Sequence, residues 1–302
     1  MLAIAIALGA SVCWGSGDFL GGLTTRRASL WAVIVGSQAV GLAGAIVVVV
    51  ATGHGWPGLS AVWPVLLGGV ASVVAISCFY TALAIGSMSI VAPISATSAL
   101  VPFVVGLALG ERPAAAQLVG VVLAAAGVLL VAHERPRTGD TIGVGALPNE
   151  PAIEPAAAAE KPSRHNQRLS IVLSLTAAVA MGLVLVGYDA TARHDALWAM
   201  LGGRASSAII FTAVFVIARP HLELHRSAVP FIVAVGLLDT GANGLFAIAT
   251  TQGYLSIVSV IGSIYPVVTV LLAYVVLRER LERHQIAGAV ATLAGIALIA
   301  AA

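Results

Sequence analysis

Charged residues are scarce in this sequence. They make up 9% of the 302 residues, whereas hydrophobic residues make up 59%, and the mean hydropathy is +1.02. Soluble domains carry roughly 25% charged residues, so this chain lacks the polar surface that a soluble domain presents to water. The shortage excludes a soluble globular protein and predicts an integral membrane protein.

Cysteines are few, and the sequence has no catalytic cluster and no nucleotide-binding motif. Cys13 and Cys78 are the only cysteines, and both fall inside apolar runs, so no disulfide framework is indicated. The carboxylates are scattered singly and form no nucleophile–base or metal-ligand cluster, so we expect no enzyme activity, no metal and no cofactor. Without a phosphate-binding motif, coupling to ATP within this chain and nucleic-acid binding are not expected.

Long apolar runs fill the chain instead. A helix needs roughly 20 apolar residues to cross a bilayer, and ten runs qualify: 2–22, 29–52, 61–84, 88–110, 114–132, 169–188, 195–218, 227–250, 254–277 and 284–301. No basic residue precedes the first run, and it exceeds the usual roughly 7–15-residue core of a signal peptide. We therefore expect it to be a membrane helix and not a cleaved leader.

One segment differs from the rest. Residues 134–168 are rich in Pro, Ala and charge and have no apolar periodicity, which is typical of a flexible aqueous linker. The linker divides the predicted helices five and five. The predicted organisation is a first unit at 1–133, the linker at 134–168 and a second unit at 169–302.

The two units are copies of each other. "LWAVIVGS" at Leu30 matches "LWAMLGGR" at Leu197, and "SIV" recurs at Ser89 and Ser256 with the same offset of 167 residues. After a one-residue slip, Glu111-Arg112 matches Glu279-Arg280. Because each copy has an odd number of helices, the second must enter the membrane from the opposite side. Such inverted repeats are the architecture of many secondary transporters.

The residues also carry a family resemblance. "CWGSGDF" in the first helix, "LGERP" closing the fourth and "LVGVVLAAAGVLL" in the fifth resemble the EamA family of the drug/metabolite transporter superfamily. "YPVVTVLLAYVVLRERLERHQIAGAVATLAGIALI" repeats the pattern in the second unit. The resemblance implies a ten-helix carrier, often an exporter of amino acids, metabolites or drugs.

We therefore predict a secondary active transporter of small metabolites, such as amino acids or drug-like compounds, working by alternating access between the repeats. A proton or substrate gradient is the expected driving force. The alternatives are a channel or non-transporting membrane protein and, with less support, a membrane-embedded enzyme. The expected setting is the plasma membrane, with the lipid bilayer and a small-molecule substrate as partners and a monomer or homodimer as the assembly.

Polar side chains inside apolar spans indicate where a substrate binds, because they are costly there and usually face a cavity or a partner. The candidate substrate-binding residues are Trp14, Asp18, Tyr80, Arg204, Asp239, Asn243 and Tyr265. For Trp14 and Tyr265, packing in the bundle or at the interface is the alternative interpretation. Glu111-Arg112 and Glu279-Arg280, at helix ends, are predicted to be interfacial anchors.

Arg204 and Asp239 are predicted to lie at equal depth. Arg204 lies 15 residues before Arg219, and Asp239 lies 13 residues after Arg226. At 1.5 Å per residue, both lie roughly 20 Å below the same surface, on consecutive helices. Two interpretations are open and compatible. The pair is a structural salt bridge, or Arg204 receives a substrate anion while Asp239 or Asp18 binds an amine or a coupling proton.

Basic residues are unevenly divided between the two sides. The loops after the first, third, fifth, seventh and ninth helices hold 12 Lys and Arg, whereas the other side holds Arg112 and Arg193. The positive-inside rule then puts the linker in the cytosol and both termini outside. The family resemblance implies cytosolic termini, so the two indications conflict, and we take the charge count as the prediction.

Overall fold

The computed structural model describes residues 1–25, 28–85, 91, 94–95, 97–132, 164–220, 222–277 and 283–302. The α-helices in this part are α1 Leu2–Thr24, α2 Leu30–Ala51, α3 Leu59–Ile85, α4 Leu100–Ala108, α5 Ala115–Ala132, α6 Arg164–Ala192, α7 Ala196–Ala218, α8 Val229–Gln252, α9 Leu255–Gly262, α10 Tyr265–Leu277 and α11 Arg283–Ala301. Short 3₁₀ turns precede α4 and α8. The described residues form no strand.

The helices have the length and surface of membrane spans. Eight described helical segments are long and apolar enough to cross a membrane, and two shorter apolar ones cover Thr97–Ala108 and Ala115–Val131. Large apolar side chains such as Val50, Ile217 and Val275 remain exposed on their outward faces. Exposed apolar surface of this extent is stable against lipid. The predicted all-α membrane class is confirmed, while the predicted fourth span, 88–110, lies partly outside the described residues.

Two helix boundaries differ from the prediction. α6 begins at Arg164, inside the predicted linker, and ends at Ala192. Its first residues are polar, but their backbone groups still form helical hydrogen bonds. An apolar run therefore marks where a helix enters the lipid and not where the helix begins. The rest of the predicted linker lies outside the described residues.

The predicted ninth span, 254–277, is two helices. α9 ends at Gly262 and α10 begins at Tyr265, with Pro266 in its first turn. Proline has no N–H to donate and its ring clashes with the preceding turn, so it starts a helix more easily than it continues one. The Ser263–Ile264 interruption therefore follows from Pro266.

Pro64 lies inside α3 without ending it. The amide of Val65 donates to the Thr191 hydroxyl on α6 at 3.2 Å, and the Ser206 hydroxyl on α7 donates to the Leu66 carbonyl at 2.8 Å. Neighbouring hydroxyl groups thus satisfy backbone groups near the proline, as is common in membrane helices.

The helices pack in long pairs. α1 packs along α8, α3 along α6, and α5 along α11, while α2 contacts both α7 and α8. We call the face where α5 ends and α6 begins the linker side. There the loop before α2 meets the loop before α8, since the Ser29 amide donates to the Glu223 carbonyl at 2.9 Å. The loops joining α2 to α3, α4 to α5, α6 to α7 and α8 to α9 lie on the opposite side.

Candidate functional site

Arg204 on α7 is held inside the bundle by two partners. Its Nη2 donates to Asp239 Oδ2 at 2.5 Å, and its Nη1 donates to Gln38 Oε1 at 2.8 Å. The Ser207 hydroxyl, one turn along α7, donates to the same glutamine oxygen at 3.3 Å. The predicted pairing of Arg204 with Asp239 is confirmed. This charge cluster, Arg204, Asp239, Gln38 and Ser207, joins α7 to α8 and α2.

Glycine makes room for the guanidinium. A Cβ atom at Gly41 on α2 would lie 3.1 Å from Arg204 Nε and 3.0 Å from the Gly236 carbonyl oxygen on α8. Without side chains at these positions, α2 and α8 approach closely while Arg204 still fits between them. Arg204 Nε and Thr240 Oγ1 are buried and have no hydrogen-bond partner in the described part of the chain.

Gln38 is the cluster member that the sequence reasoning missed. It follows Ser37, which is the repeat equivalent of Arg204, and lies in the middle of the apolar span 29–52. The rule that intramembrane polar groups need partners applies to an amide as well as to a charge. Applied to Gln38, it would have singled this residue out.

Asp18 on α1 faces a separate cavity of about 350 Å³ in the linker-side half of the bundle. Its lining includes Asp18, Phe79, Ser95, Met181, Tyr265 and Thr269. Asp18 is exposed, and no described residue donates a hydrogen bond to its carboxylate or forms an ion pair with it. The Ser95 hydroxyl is buried and also has no partner among the described residues. Two polar groups of this cavity are thus available to a ligand.

Aromatic side chains support one wall of the cavity. The Trp14 ring lies 5.7 Å from the Phe246 ring and 6.4 Å from the Tyr265 ring, measured between centroids. Tyr265 lines the cavity, whereas Trp14 is not among its lining residues. Thr269 fixes α10 to α1, because its hydroxyl donates to the Gly15 carbonyl at 3.1 Å. Trp14 therefore packs behind Tyr265 and does not itself line the cavity.

The predicted site residues form two groups and not one. Asp18 and Tyr265 line the cavity, while Arg204 and Asp239 belong to the charge cluster. The groups are neighbours, because a Cβ atom at Gly17 would lie 4.0 Å from the Asp239 backbone nitrogen. Asn243 is half-buried on α8, one turn after Asp239. Tyr80 belongs to α3, but its side chain lies outside the described part.

Glu111 makes a contact that the sequence did not predict. Its two carboxylate oxygens accept hydrogen bonds from the Leu255 amide at 2.7 Å and the Ser256 amide at 2.9 Å. Glu111 therefore caps the N-terminus of α9, where unpaired amides and the helix dipole favour a negative charge. It is half-buried and lies just after the end of α4, and its role as an interfacial anchor stays a prediction. Glu279 and Arg280, the equivalent pair, lie outside the described residues.

Further contacts join helix ends on the same opposite side. Arg193 Nη2 lies 2.9 Å from Asp189 Oδ2, and His54 Nδ1 lies 2.5 Å from Asp195 Oδ2. Asp195 also caps α7 by accepting from the Leu197 amide at 2.8 Å. We call these contacts and the Glu111 cap the opposite-side closure. The His54 contact joins the end of α2 to the start of α7, and the Glu111 cap joins the end of α4 to the start of α9, whereas the Arg193–Asp189 pair is local to the end of α6. The cavity lies toward the linker side.

Comparisons with known proteins agree with this architecture. Residues 1–133 and 168–301 match the sequence profile of the EamA-like transporter family. The fold is similar to that of a solved crystal structure over 98% of this chain and 94% of the other, with a TM-score of 0.75 and 18% sequence identity. At this identity the similarity shows the fold alone. The search of curated proteins gave no match.

Proposed function

The chain belongs to the EamA-like transporter family, and from this premise we propose that it is a secondary active transporter that exports small organic metabolites. The observation that carries the proposal is the Asp18 carboxylate, which is exposed in a cavity inside the helix bundle and has no hydrogen-bond or ion-pair partner among the described residues. An ionisable group kept at such a place is costly, and such groups mark substrate and ion pathways. A purely structural aspartate would be paired, as Asp239 is.

We further propose that two inverted five-helix repeats alternate around this cavity. The helix pairings support this, because exchanging the halves converts the pair α1–α8 into the pair α6–α3. The interruption before α10 has a counterpart in the 3₁₀ turn Thr97–Ala99 before α4. The family profile also matches each half separately. A two-fold relation of this kind provides two equivalent end states, one open to each side.

The position of the cavity supports export from the cytosol across the plasma membrane. It lies toward the linker side, and the contacts of the opposite-side closure lie at the other end of the bundle. The excess of Lys and Arg in the linker-side loops assigns that side to the cytosol. A substrate would then load from the cytosol, and breaking the closure would release it outside.

The two groups of charges have different roles in this proposal. The charge cluster positions α2, α7 and α8, because Arg204 is already occupied by Asp239 and Gln38. Asp18 binds either the substrate or a proton. When both compete for one carboxylate, the gradient of one can drive the movement of the other.

Counterflow in proteoliposomes tests the proposed function. A thermal-shift screen of purified protein against amino acids, nucleosides and amines first selects a ligand. Vesicles loaded with that unlabelled ligand should accumulate the labelled ligand transiently above its outside concentration, and Asp18→Asn should abolish this overshoot. A channel gives equilibration without overshoot, and this result would contradict the proposal.

A further inference from the structure

The described residues that line the cavity around Asp18 carry negative charge only. Asp18 is the only charged side chain among its described lining residues, and none of these is Lys, Arg or His. The neighbouring cation, Arg204, does not line the cavity. Its side chain is 4% exposed, and two of its nitrogens donate hydrogen bonds within the charge cluster. The described lining of the cavity thus presents a carboxylate without a matching cation.

Apolar and aromatic surface makes up most of the remaining wall. Phe79, Met181 and Val270 line the cavity together with the Tyr265 ring. Aromatic rings attract a nearby cation through their negative faces, and a methionine side chain adapts to varied apolar shapes. A volume of about 350 Å³ suits a compact organic molecule. The Ser95 hydroxyl, which has no partner among the described residues, offers one further hydrogen bond.

From these features we infer that the cavity binds amphipathic amines with one positive charge and no carboxylate. The inference rests on the proposed function and narrows its substrate class. An ammonium group pairs with Asp18, the Ser95 hydroxyl takes a polar substituent or a second N–H, and the hydrocarbon body lies on the apolar wall. The carboxylate of a zwitterionic amino acid would be desolvated beside Asp18, and no described lining residue supplies a cation to pair with it, which is costly.

Three probes with the same indole ring test this charge rule. Tryptamine is a cation, tryptophan a zwitterion and indole-3-acetate an anion at neutral pH. We expect the purified full-length protein to bind tryptamine at least about tenfold more tightly than either of the others, by calorimetry or thermal shift. Asp18→Asn should weaken tryptamine binding by at least about tenfold, and Ser95→Ala by a few-fold. Asp140→Asn, which removes a carboxylate from the linker, is the matched control and should bind like the wild type.

The wild-type comparison needs no variant to fold, so it decides the inference by itself. Tryptophan or indole-3-acetate binding as tightly as tryptamine would overturn the inference, and so would the absence of tryptamine binding. Neither result touches the proposed function if another ligand shows counterflow with an overshoot. A ligand that equilibrates without overshoot would contradict the proposed function. The preference of the cavity for a cation would still be decided by the binding measurements.

Discussion

The Arg204 and Asp239 side chains differ in their access to solvent. Arg204 is 4% exposed and Asp239 is 40% exposed. A charge that loses its partner is expensive in proportion to its burial, because water replaces the partner only where water can reach. The buried Arg204 side chain therefore depends on its partner more than the exposed Asp239 side chain does.

We predict an asymmetric double-mutant cycle for this pair. Asp239→Ala leaves a buried guanidinium with only Gln38 and should lower the stability of the folded protein by about 3–5 kcal/mol, the range for one broken buried pair. Arg204→Ala leaves a carboxylate that water can hydrate, so it should cost less. The double variant should recover part of the loss. Thermal unfolding in detergent measures all four proteins.

Two outcomes of that cycle would contradict this account. If the single effects simply add, the residues do not interact, and Arg204 must be stabilised by something else. If the isosteric double variant Arg204→Met/Asp239→Leu folds well but loses ligand binding at the cavity, the pair contacts substrate and is not only a positioning device.

Residue-level prediction from the sequence depended on helix geometry. The Arg204–Asp239 pair was predictable because both charges are counted from basic helix ends at 1.5 Å per residue. The position of Asp18 in a cavity apart from Arg204 and Asp239 was not predictable. Depth along a helix does not determine which direction a side chain faces around the bundle. Glu111 was missed as a cap for a related reason, since its partners lie 144 and 145 residues away along the chain.

At the scale of elements, α5 and α11 approach each other through glycine. A Cβ atom at Gly295 would lie 2.6 Å from the Gly120 carbonyl oxygen and 2.6 Å from the Ala124 amide nitrogen. Both neighbours are backbone atoms, which cannot rotate away. Gly120 and Ala124 have the small-xxx-small spacing that typically marks such contacts.

Gly295→Ala should therefore lower the unfolding temperature, at a cost of about 1–3 kcal/mol for an overpacked contact. Gly241→Ala on α8 is the matched control, because a Cβ atom there meets no heavy atom within 4 Å. The control should be neutral or slightly stabilising, since alanine favours helix over glycine. Equal effects of the two substitutions would show that the α5–α11 contact is looser than described.

Helix existence was more predictable than helix ends. The apolar runs located the membrane spans because lipid requires about 20 apolar residues. The interruption of the ninth span was within reach of the sequence, since Pro266 marks it. The start of α6 at Arg164 was not, because polar residues extend a helix beyond the bilayer without an apolar signal.

At the scale of the whole molecule, the charge count makes a prediction about sidedness. A reporter active only in the cytosol should work when inserted near Ala157 in the linker, and a reporter active only outside should work after Ala302. The positive-inside bias of 12 against two Lys and Arg is the physical reason. The reverse pattern would place the termini in the cytosol, as the family resemblance implies, and the export direction proposed here would then lose its support.

Alternating access is the central claim, and the accessibility of the cavity from each side tests it most directly. Met181 lines the cavity and is 39% exposed. Met181→Cys, in a chain with Cys13 and Cys78 changed to Ala, gives a single reporter for a membrane-impermeant maleimide in oriented proteoliposomes. Labelling should be fast from the linker side and slow from the opposite side, where the Glu111 cap holds α9.

Glu111→Ala removes that cap, which should weaken the opposite-side closure by about 1 kcal/mol. Arg112→Ala, at the exposed neighbouring residue, is the matched control and should change nothing. With Glu111→Ala, we predict that labelling of Cys at position 181 rises from the opposite side and falls from the linker side, because the two open states exclude each other. An increase from both sides at once would contradict alternating access and indicate a continuous pore.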